Sequence, residues 1–334
     1  ERELETEWPS PQLVVKSPGV AAEAWMVARA REAGVPVWSE IELAYELLPN
    51  PFDAITGTNG KTTTTALLGH LFAVAGRPVR VLGNIGTAVT SVVGRVDPDE
   101  ELVVEVSSFQ LEDVQSFRPA AGIFLNLTPD HLDRHGTMEH YLACKARLFA
   151  QQGPGDVAVL NLADAAVAGL GASLRACAEG PRVSFFAVSP DAAQEGVRPD
   201  SWVEAGWMIL EHERLLPVAD IRLPGRHNLE NCLAAAAAAL GRGVTREAVA
   251  EGLRTFAGVP HRLEPVGTVR GVLYVNDSKA TNVDATLTAL NAYPEGTHLI
   301  LGGRDKASDY RPVARACAHG CRAVYLIGEA TPLV

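Results

Sequence analysis

The sequence predicts an α/β protein centred on a parallel sheet with helices packed over it. Short runs rich in Val, Ile and Leu alternate with segments of helical periodicity through most of the chain, the pattern of crossover units in a parallel sheet. A length of 334 residues exceeds what one hydrophobic core serves, so two or three domains are expected. With 47% hydrophobic and 21% charged residues, the chain has the composition of a folded protein rather than a disordered one.

In chain order, the expected strands are the apolar runs at 52–56, 79–82, 102–106, 121–127, 157–161, 272–276, 298–301 and 323–327. Between them, apolar residues at helical spacing mark helices at 63–75, 138–150, 229–240 and 246–256. Pro49-Asn50-Pro51 and Gly258-Val259-Pro260 interrupt both patterns and read as linkers. Three segments result, 1–50, 51–258 and 259–334.

A formal net charge of -11 disfavours nucleic acid and anionic membranes as partners, because the summed field repels phosphate polymers. Any phosphate site is therefore local. The longest apolar run, 232–240, is mostly alanine and far shorter than the roughly 20 residues that span a bilayer. Glu1-Arg2-Glu3-Leu4-Glu5 carries neither the basic start nor the apolar stretch of a signal peptide, and a cytoplasmic location is expected. Cys144, Cys177, Cys232, Cys317 and Cys321 are odd in number, which suits reduced thiols. Cys317 and Cys321 are read as small core residues at a helix end rather than as part of a metal site.

The most chemical stretch follows the first expected strand. Gly57-Thr58-Asn59-Gly60-Lys61-Thr62 forms a tight glycine-bordered turn that runs directly into an amphipathic helix, the geometry of a phosphate-binding loop. Its glycines let backbone N–H groups approach phosphate oxygens, the helix start adds partial positive charge, Lys61 reaches the terminal phosphates, and the Thr62 hydroxyl ligates Mg2+. The loop is a short variant, since Ile55 stands where the general pattern has its first glycine. Thr62, Thr63, Thr64 and Thr65 at the helix start suit capping and ion binding better than helix propensity. Glu105 sits inside an apolar strand, where a carboxylate needs a cation or hydrogen-bond donors. Lys145 shares a helix face with Tyr141, Leu142, Leu148 and Phe149 and is expected to point inward, with Arg147 pointing away.

The Gly57-Thr58-Asn59-Gly60-Lys61-Thr62-Thr63 loop resembles that of the Mur ligase family, which also includes folylpolyglutamate synthase-like enzymes. Ser17-Pro18-Gly19-Val20, Ser39-Glu40-Ile41-Glu42-Leu43, Gly83-Asn84-Ile85-Gly86, Glu105-Val106-Ser107-Ser108-Phe109-Gln110-Leu111-Glu112, Asp130-His131-Leu132-Asp133-Arg134 and Asn276-Asp277-Ser278-Lys279-Ala280-Thr281-Asn282 resemble, in the same order, the branch that adds D-glutamate. The resemblance implies a three-domain architecture: a central ATP-binding domain with a P-loop-type parallel sheet at 51–258, the remainder of a Rossmann-like UDP-binding domain at 1–50, and an incomplete Rossmann-like amino-acid-binding domain at 259–334. It implies that ATP phosphorylates the carboxylate of UDP-N-acetylmuramoyl-L-alanine and that the amine of D-glutamate displaces the phosphate. Each step raises negative charge, which calls for cations and placed donors rather than a protein nucleophile.

By the same resemblance, Glu105 joins Thr62 at one Mg2+, while His131 and a carbamylated Lys145 hold a second. Asp130, Asp133 and His135 lie near enough to His131 in sequence to be confused with it, and Lys145 could instead carry its charge to water. Asn228 and Asn231 would hydrogen-bond the adenine, Asn228 also being a candidate helix cap. Arg262 would reach the γ-phosphate, with an interface ion pair as the other reading. His261 is expected near the base and Asp277 at the ribose. Lys279, Thr281 and Lys306 are expected near the acceptor amino acid or the transferred phosphate, and Asn84, Ser107 and Gln110 at the muramoyl-alanine substrate unless they serve only as loop and cap hydrogen bonds. A monomer is expected. The glycine-rich UDP-binding turn and the later C-terminal loops of the family have no counterpart in these residues, so weak or no turnover is expected. Another Mur-type or folate-extending ligase, or a nucleotide-binding module without catalysis, are the competing readings.

Overall fold

The computed structural model describes residues 11–84, 86–192, 194, 196–303 and 309–332. These divide into two compact units. The first runs to Ile221 and includes Glu230–Phe256; the second comprises Arg222–Leu229 and the chain from Ala257 onward.

The first unit opens with a parallel pair, β1 (Val14–Lys16) and β2 (Val37–Ser39), joined by α1 (Trp25–Glu32). α2 (Glu40–Leu47) follows at once because Ser39 caps it, its hydroxyl accepting from the Glu42 amide. Glu42 is wholly buried, and its carboxylate accepts from the amides of Ser116 at 2.7 Å and Phe117 at 3.1 Å. Lys16 is buried too and pairs with Glu112 at 2.9 Å. Both charges are tolerated because each has a partner.

Next come β3 (Phe52–Thr56), α3 (Lys61–Val74), β4 (Val79–Gly83), β5 (Glu101–Glu105), α4 (Ser108–Leu111), β6 (Ala121–Phe124), α5 (Leu132–His135), α6 (Met138–Ala146), β7 (Val157–Asn161), α7 (Ala165–Ala176) and β8 (Arg182–Phe186). The six strands form one parallel sheet in the order β4-β5-β3-β6-β7-β8. Every residue of β3, β5, β6 and β7 is buried, which is why these strands read as unbroken apolar runs rather than alternating ones. A small antiparallel sheet follows, made of β9 (Trp202–Glu204), β10 (Trp207–Leu210) and β11 (Glu213–Pro217), and then α8 (Arg226–Gly241) and α9 (Arg246–Thr255). The run from Cys232 to Ala239 in α8 is entirely buried. Its methyl side chains allow close backbone approach within a core. Among the described residues, no helix is long and apolar enough to cross a membrane.

A buried ion network lies where β3 and β5 begin. Arg242 donates to Asp53 Oδ1 at 2.8 Å and to Glu101 Oε2 at 2.9 Å, and Arg77 pairs with Glu101. Burial pushes the Asp53 carboxyl up to about 7, against the opposing pull of Arg242.

The second unit contains the antiparallel hairpin β12 (Glu264–Val269) and β13 (Val272–Asn276), then α10 (Val283–Ala292), β14 (Thr297–Gly302), α11 (Arg311–Gly320) and β15 (Cys321–Ile327). β14 and β15 pair in parallel. Asn282 caps α10 by accepting from the Ala285 amide at 2.7 Å.

All eight expected strands and all four expected helices form, the strands at 52–56, 157–161 and 272–276 with the expected bounds and the others with shifted ends. The 121–127 run stops being strand at Phe124 because the chain beyond it turns to bind the loop after β3, Thr58 N donating to Asn126 O at 3.0 Å. The 138–150 helix tightens into a 3-10 turn over Arg147–Phe149. Lys145 is buried with Tyr141, Leu148 and Phe149, Leu142 is half-buried, and Arg147 is exposed. All five cysteines are free.

Candidate functional site

The loop between β3 and α3 is built by backbone conformations that only glycine adopts at little cost. Gly57 lies at φ +149° and Gly60 at +86°. Gly60 is the N-cap of α3, and a Cβ there would overlap Asn231 Oδ1. The loop is held from below by one side chain that the motif reading did not single out. Asn126, just past β6, accepts from the amides of Thr58 at 3.1 Å and Asn59 at 2.8 Å and donates back to the Asn59 carbonyl at 3.2 Å. Its only sequence signal is a polar residue at the carboxyl end of an apolar strand, where α/β proteins place their sites. Thr58 and Thr128 lock the same turn, the Thr58 hydroxyl donating to Thr128 O at 3.1 Å and accepting from Thr128 N at 3.0 Å.

Two lysines converge on one loop carbonyl. Lys61 Nζ donates to Gly57 O at 3.0 Å and Thr58 O at 2.7 Å, and Lys145 Nζ reaches the same Gly57 O at 2.8 Å. Lys145 is 1% exposed and lies 4.6 Å from the centre of the Tyr141 ring. Burial, with the Lys61 charge added, pushes its pKa well below the ordinary lysine value. Burial thus disfavours the charged form of this amine.

Beside them, Thr62 donates its hydroxyl to Glu105 Oε2 at 2.7 Å, while Asn84 donates to Oε1 of the same carboxylate at 3.0 Å. A hydroxyl and a carboxylate oxygen in contact next to a phosphate loop are the hard donors that suit Mg2+. These residues therefore fit such an ion. Thr63 is buried in the first turn of α3, and Thr64 donates to Asn231 Oδ1 at 3.2 Å.

His131 is the N-cap of α5. It has φ +52° and a ring 44% exposed that lies 5.0 Å from Phe109 and 3.7 Å from Asp130 Oδ2. His135, one turn on, is buried and stacked between Phe109 and Tyr141. Burial lowers its pKa to about 4. Ser107 and Gln110 make a capping box on α4, Ser107 Oγ accepting from Gln110 N at 3.3 Å and Gln110 Oε1 accepting from Ser107 N at 3.0 Å.

The remaining expected residues belong to the second unit. Asn228 is buried and donates to Pro224 O at 2.6 Å, holding the entry to α8. Asp277 accepts from the Leu263 amide at 3.1 Å, and burial raises its pKa despite that bond and the Arg262 charge. Arg262 is half-buried, His261 is exposed at φ +65°, and Lys279 and Thr281 are exposed. Lys306 lies outside the described residues.

Comparison with known proteins accords with this geometry. Residues 55–239 match the Mur ligase middle domain, and residues 261–333 match the Mur ligase glutamate ligase domain. The chain is 48% identical over 329 residues to the UDP-N-acetylmuramoylalanine--D-glutamate ligase of Pelotomaculum thermopropionicum, with 97% of this chain and 70% of that protein covered. It is 44% identical to the protein of the same name from Acidobacterium capsulatum, with 95% and 68% covered. Among solved structures, the UDP-N-acetylmuramate-alanine ligase of Thermotoga maritima superposes with a TM-score of 0.63 at 21% identity, covering 98% of this chain and 74% of that one. That likeness is one of fold. With both domain matches in chain order and close relatives across almost its whole length, the chain belongs to the Mur ligase family.

Proposed function

We propose that this protein is an ATP-dependent ligase that joins D-glutamate to UDP-N-acetylmuramoyl-L-alanine in the synthesis of peptidoglycan precursors. One observation carries the chemistry: the Lys61 and Lys145 side chains meet at the Gly57 carbonyl, beside the Thr62–Glu105 pair. The names of relatives 44–48% identical supply the substrates.

In the reaction, a carboxylate oxygen of the muramoyl-alanine substrate takes the γ-phosphoryl group of ATP, and ADP leaves. The amine of D-glutamate then attacks the activated carbonyl carbon, loses a proton, and inorganic phosphate departs as the amide forms. No protein nucleophile is needed. Loop amides and the Lys61 ammonium oppose charge on the phosphates, and the rigid turn held by Asn126 keeps those donors aimed before substrate arrives. Thr62 and Glu105 are the residues that would hold one Mg2+, which when bound supplies further neutralisation of phosphate charge.

Lys145 is assigned the second cation together with His131. A neutral amine adds to carbon dioxide and releases a proton, giving an anionic carbamate. The buried, neutral-leaning Lys145 is suited to that conversion. Asn231 is assigned to the adenine, and Asn84, Ser107 and Gln110 to the muramoyl-alanine. The roles expected for Asn228, Arg262, Asp277, Lys279, Thr281 and Lys306 belong to the same proposal, as do the 1–50, 51–258 and 259–334 division, a monomeric state and a cytoplasmic location.

The test is phosphate release from ATP, by this chain extended to the length of its relatives, in the presence of UDP-N-acetylmuramoyl-L-alanine, comparing D-glutamate, L-glutamate, L-lysine and diaminopimelate. Release that requires both substrates and favours D-glutamate is expected. Preference for another amino acid, or release indifferent to both, would overturn the assignment.

A further inference from the structure

Beside the residues given catalytic roles lies a second cluster that no step above uses. His140 and Cys144 sit one turn apart on α6 and share a face, and His135 ends α5. One ligand atom from each of the three lies within 4.8 Å of the other two. Cys144 Sγ is 3.7 Å from His140 Nε2. Tetrahedral zinc, with Zn–N of about 2.0–2.1 Å and Zn–S of about 2.3 Å, separates two such ligands by about 3.6 Å. The existing spacing is nearly that.

The lone pairs are also arranged for a ligand. His140 Nδ1 is 3.1 Å from the His135 carbonyl. A carbonyl only accepts, so Nδ1 carries the proton and Nε2, the atom facing Cys144, is bare. His135 Nε2 is bonded to Ser108 Oγ at 2.9 Å, whereas its Nδ1 is buried with no hydrogen-bond partner. A buried ring nitrogen without a partner is unfavourable, and a ligand at Nδ1 would satisfy it. Each imidazole thus has an outer partner on one nitrogen, the arrangement that orients ligating histidines. Glu112 Oε1, 4.0 Å from His135 Nδ1, adds negative charge nearby.

We propose that His135, His140 and Cys144 form a binding site for a zinc-class divalent ion, using His135 Nδ1, His140 Nε2 and the Cys144 thiolate, with solvent in the fourth position. Two imidazoles and a thiolate select zinc or cobalt over magnesium, so the site is chemically separate from the oxygen donors Thr62 and Glu105. Binding releases the thiol proton to solvent and ties the end of α5 to α6. The exposed His140 gives the ion its way in.

Cobalt(II) is the probe, titrated into the reduced protein in excess Mg2+, because only a thiolate ligand gives the intense sulfur-to-cobalt absorption. One equivalent is expected to develop the band and Zn2+ to abolish it. Cys144→Ser should lose the band, and His140→Ala, a change at an exposed position, should weaken cobalt binding at least tenfold with an unaltered circular dichroism spectrum. No band in the native protein, a band retained in Cys144→Ser, or unchanged affinity in His140→Ala would each overturn the site.

Discussion

Replacing Gly60 by Ala tests whether the phosphate loop is as tightly specified as its geometry says. Gly60 lies at φ +86°, and an added Cβ would overlap Asn231 Oδ1 and come within 3.2 Å of Leu125 Cδ1. The left-handed backbone costs an L-residue roughly 1–2 kcal/mol. Moving Asn231 aside forfeits its bond with Thr64, 3.2 Å long in the native protein, for about another 1 kcal/mol. Together these amount to a loss of about 2–3 kcal/mol, a fall in Tm of roughly 4–12 °C for a unit of this size. Thermal unfolding followed by circular dichroism measures it. Because Asn231→Ala already forfeits the Thr64 bond, the double variant should lose less than the sum of the single losses by about 1 kcal/mol, the signature of contacting residues. ATP affinity should fall with the Gly60→Ala change, since the loop amides are re-aimed. A Gly60→Ala protein with native Tm and native ATP binding, or strictly additive losses, would refute the reasoning.

Three further outcomes follow from particular contacts. Lys145→Ala should abolish ligation, and acetate should partly restore it by supplying the missing carboxylate; an active Lys145→Ala enzyme rules the role out. Arg242→Met leaves Asp53 without the guanidinium that now lies at 2.8 Å and Glu101 with Arg77 alone, and urea denaturation at pH 8, above the Asp53 value of about 7, should report a loss of about 3–5 kcal/mol; a change below about 1 kcal/mol would contradict the network. The pH dependence of stability should show Asp53. Its folded pKa of about 7 stands above its unfolded value of 3.8, so the native state holds a proton that the unfolded chain gives up. Stability present below the lower value is lost as pH rises toward the higher one. Asp53→Asn should flatten that decline, and an unchanged slope between the two values would count against it.

Much of the central sheet was legible because its strands are buried on both faces and therefore appear as continuous apolar runs. The strands missed were short or weakly marked. β1, β2 and β9 are only three residues long, β10 is an apolar run of four, β8 and β11 open on charged residues, and β12 contains Pro265 and Gly267, which weaken any strand pattern. α7 is so rich in Ala and Gly that its buried stripe lacks large side chains. The site divides in the same way. Lys61, Thr62 and Glu105 announce themselves through a glycine-bordered turn and a carboxylate in an apolar strand, since local chemistry forces both.

What the amino-acid order alone determined is therefore local: where strands and helices form, where glycine must bend the chain, and which polar residues are out of place in apolar surroundings. Only the tertiary structure decided that Asn126 pins the loop, that Lys145 shares a carbonyl with Lys61 across 84 positions of sequence, and that an unpaired His135 nitrogen sits near His140 and Cys144. Periodicity reports which face of an element is buried. Which groups then meet is set by how separate elements pack, and no spacing along the chain encodes that distance.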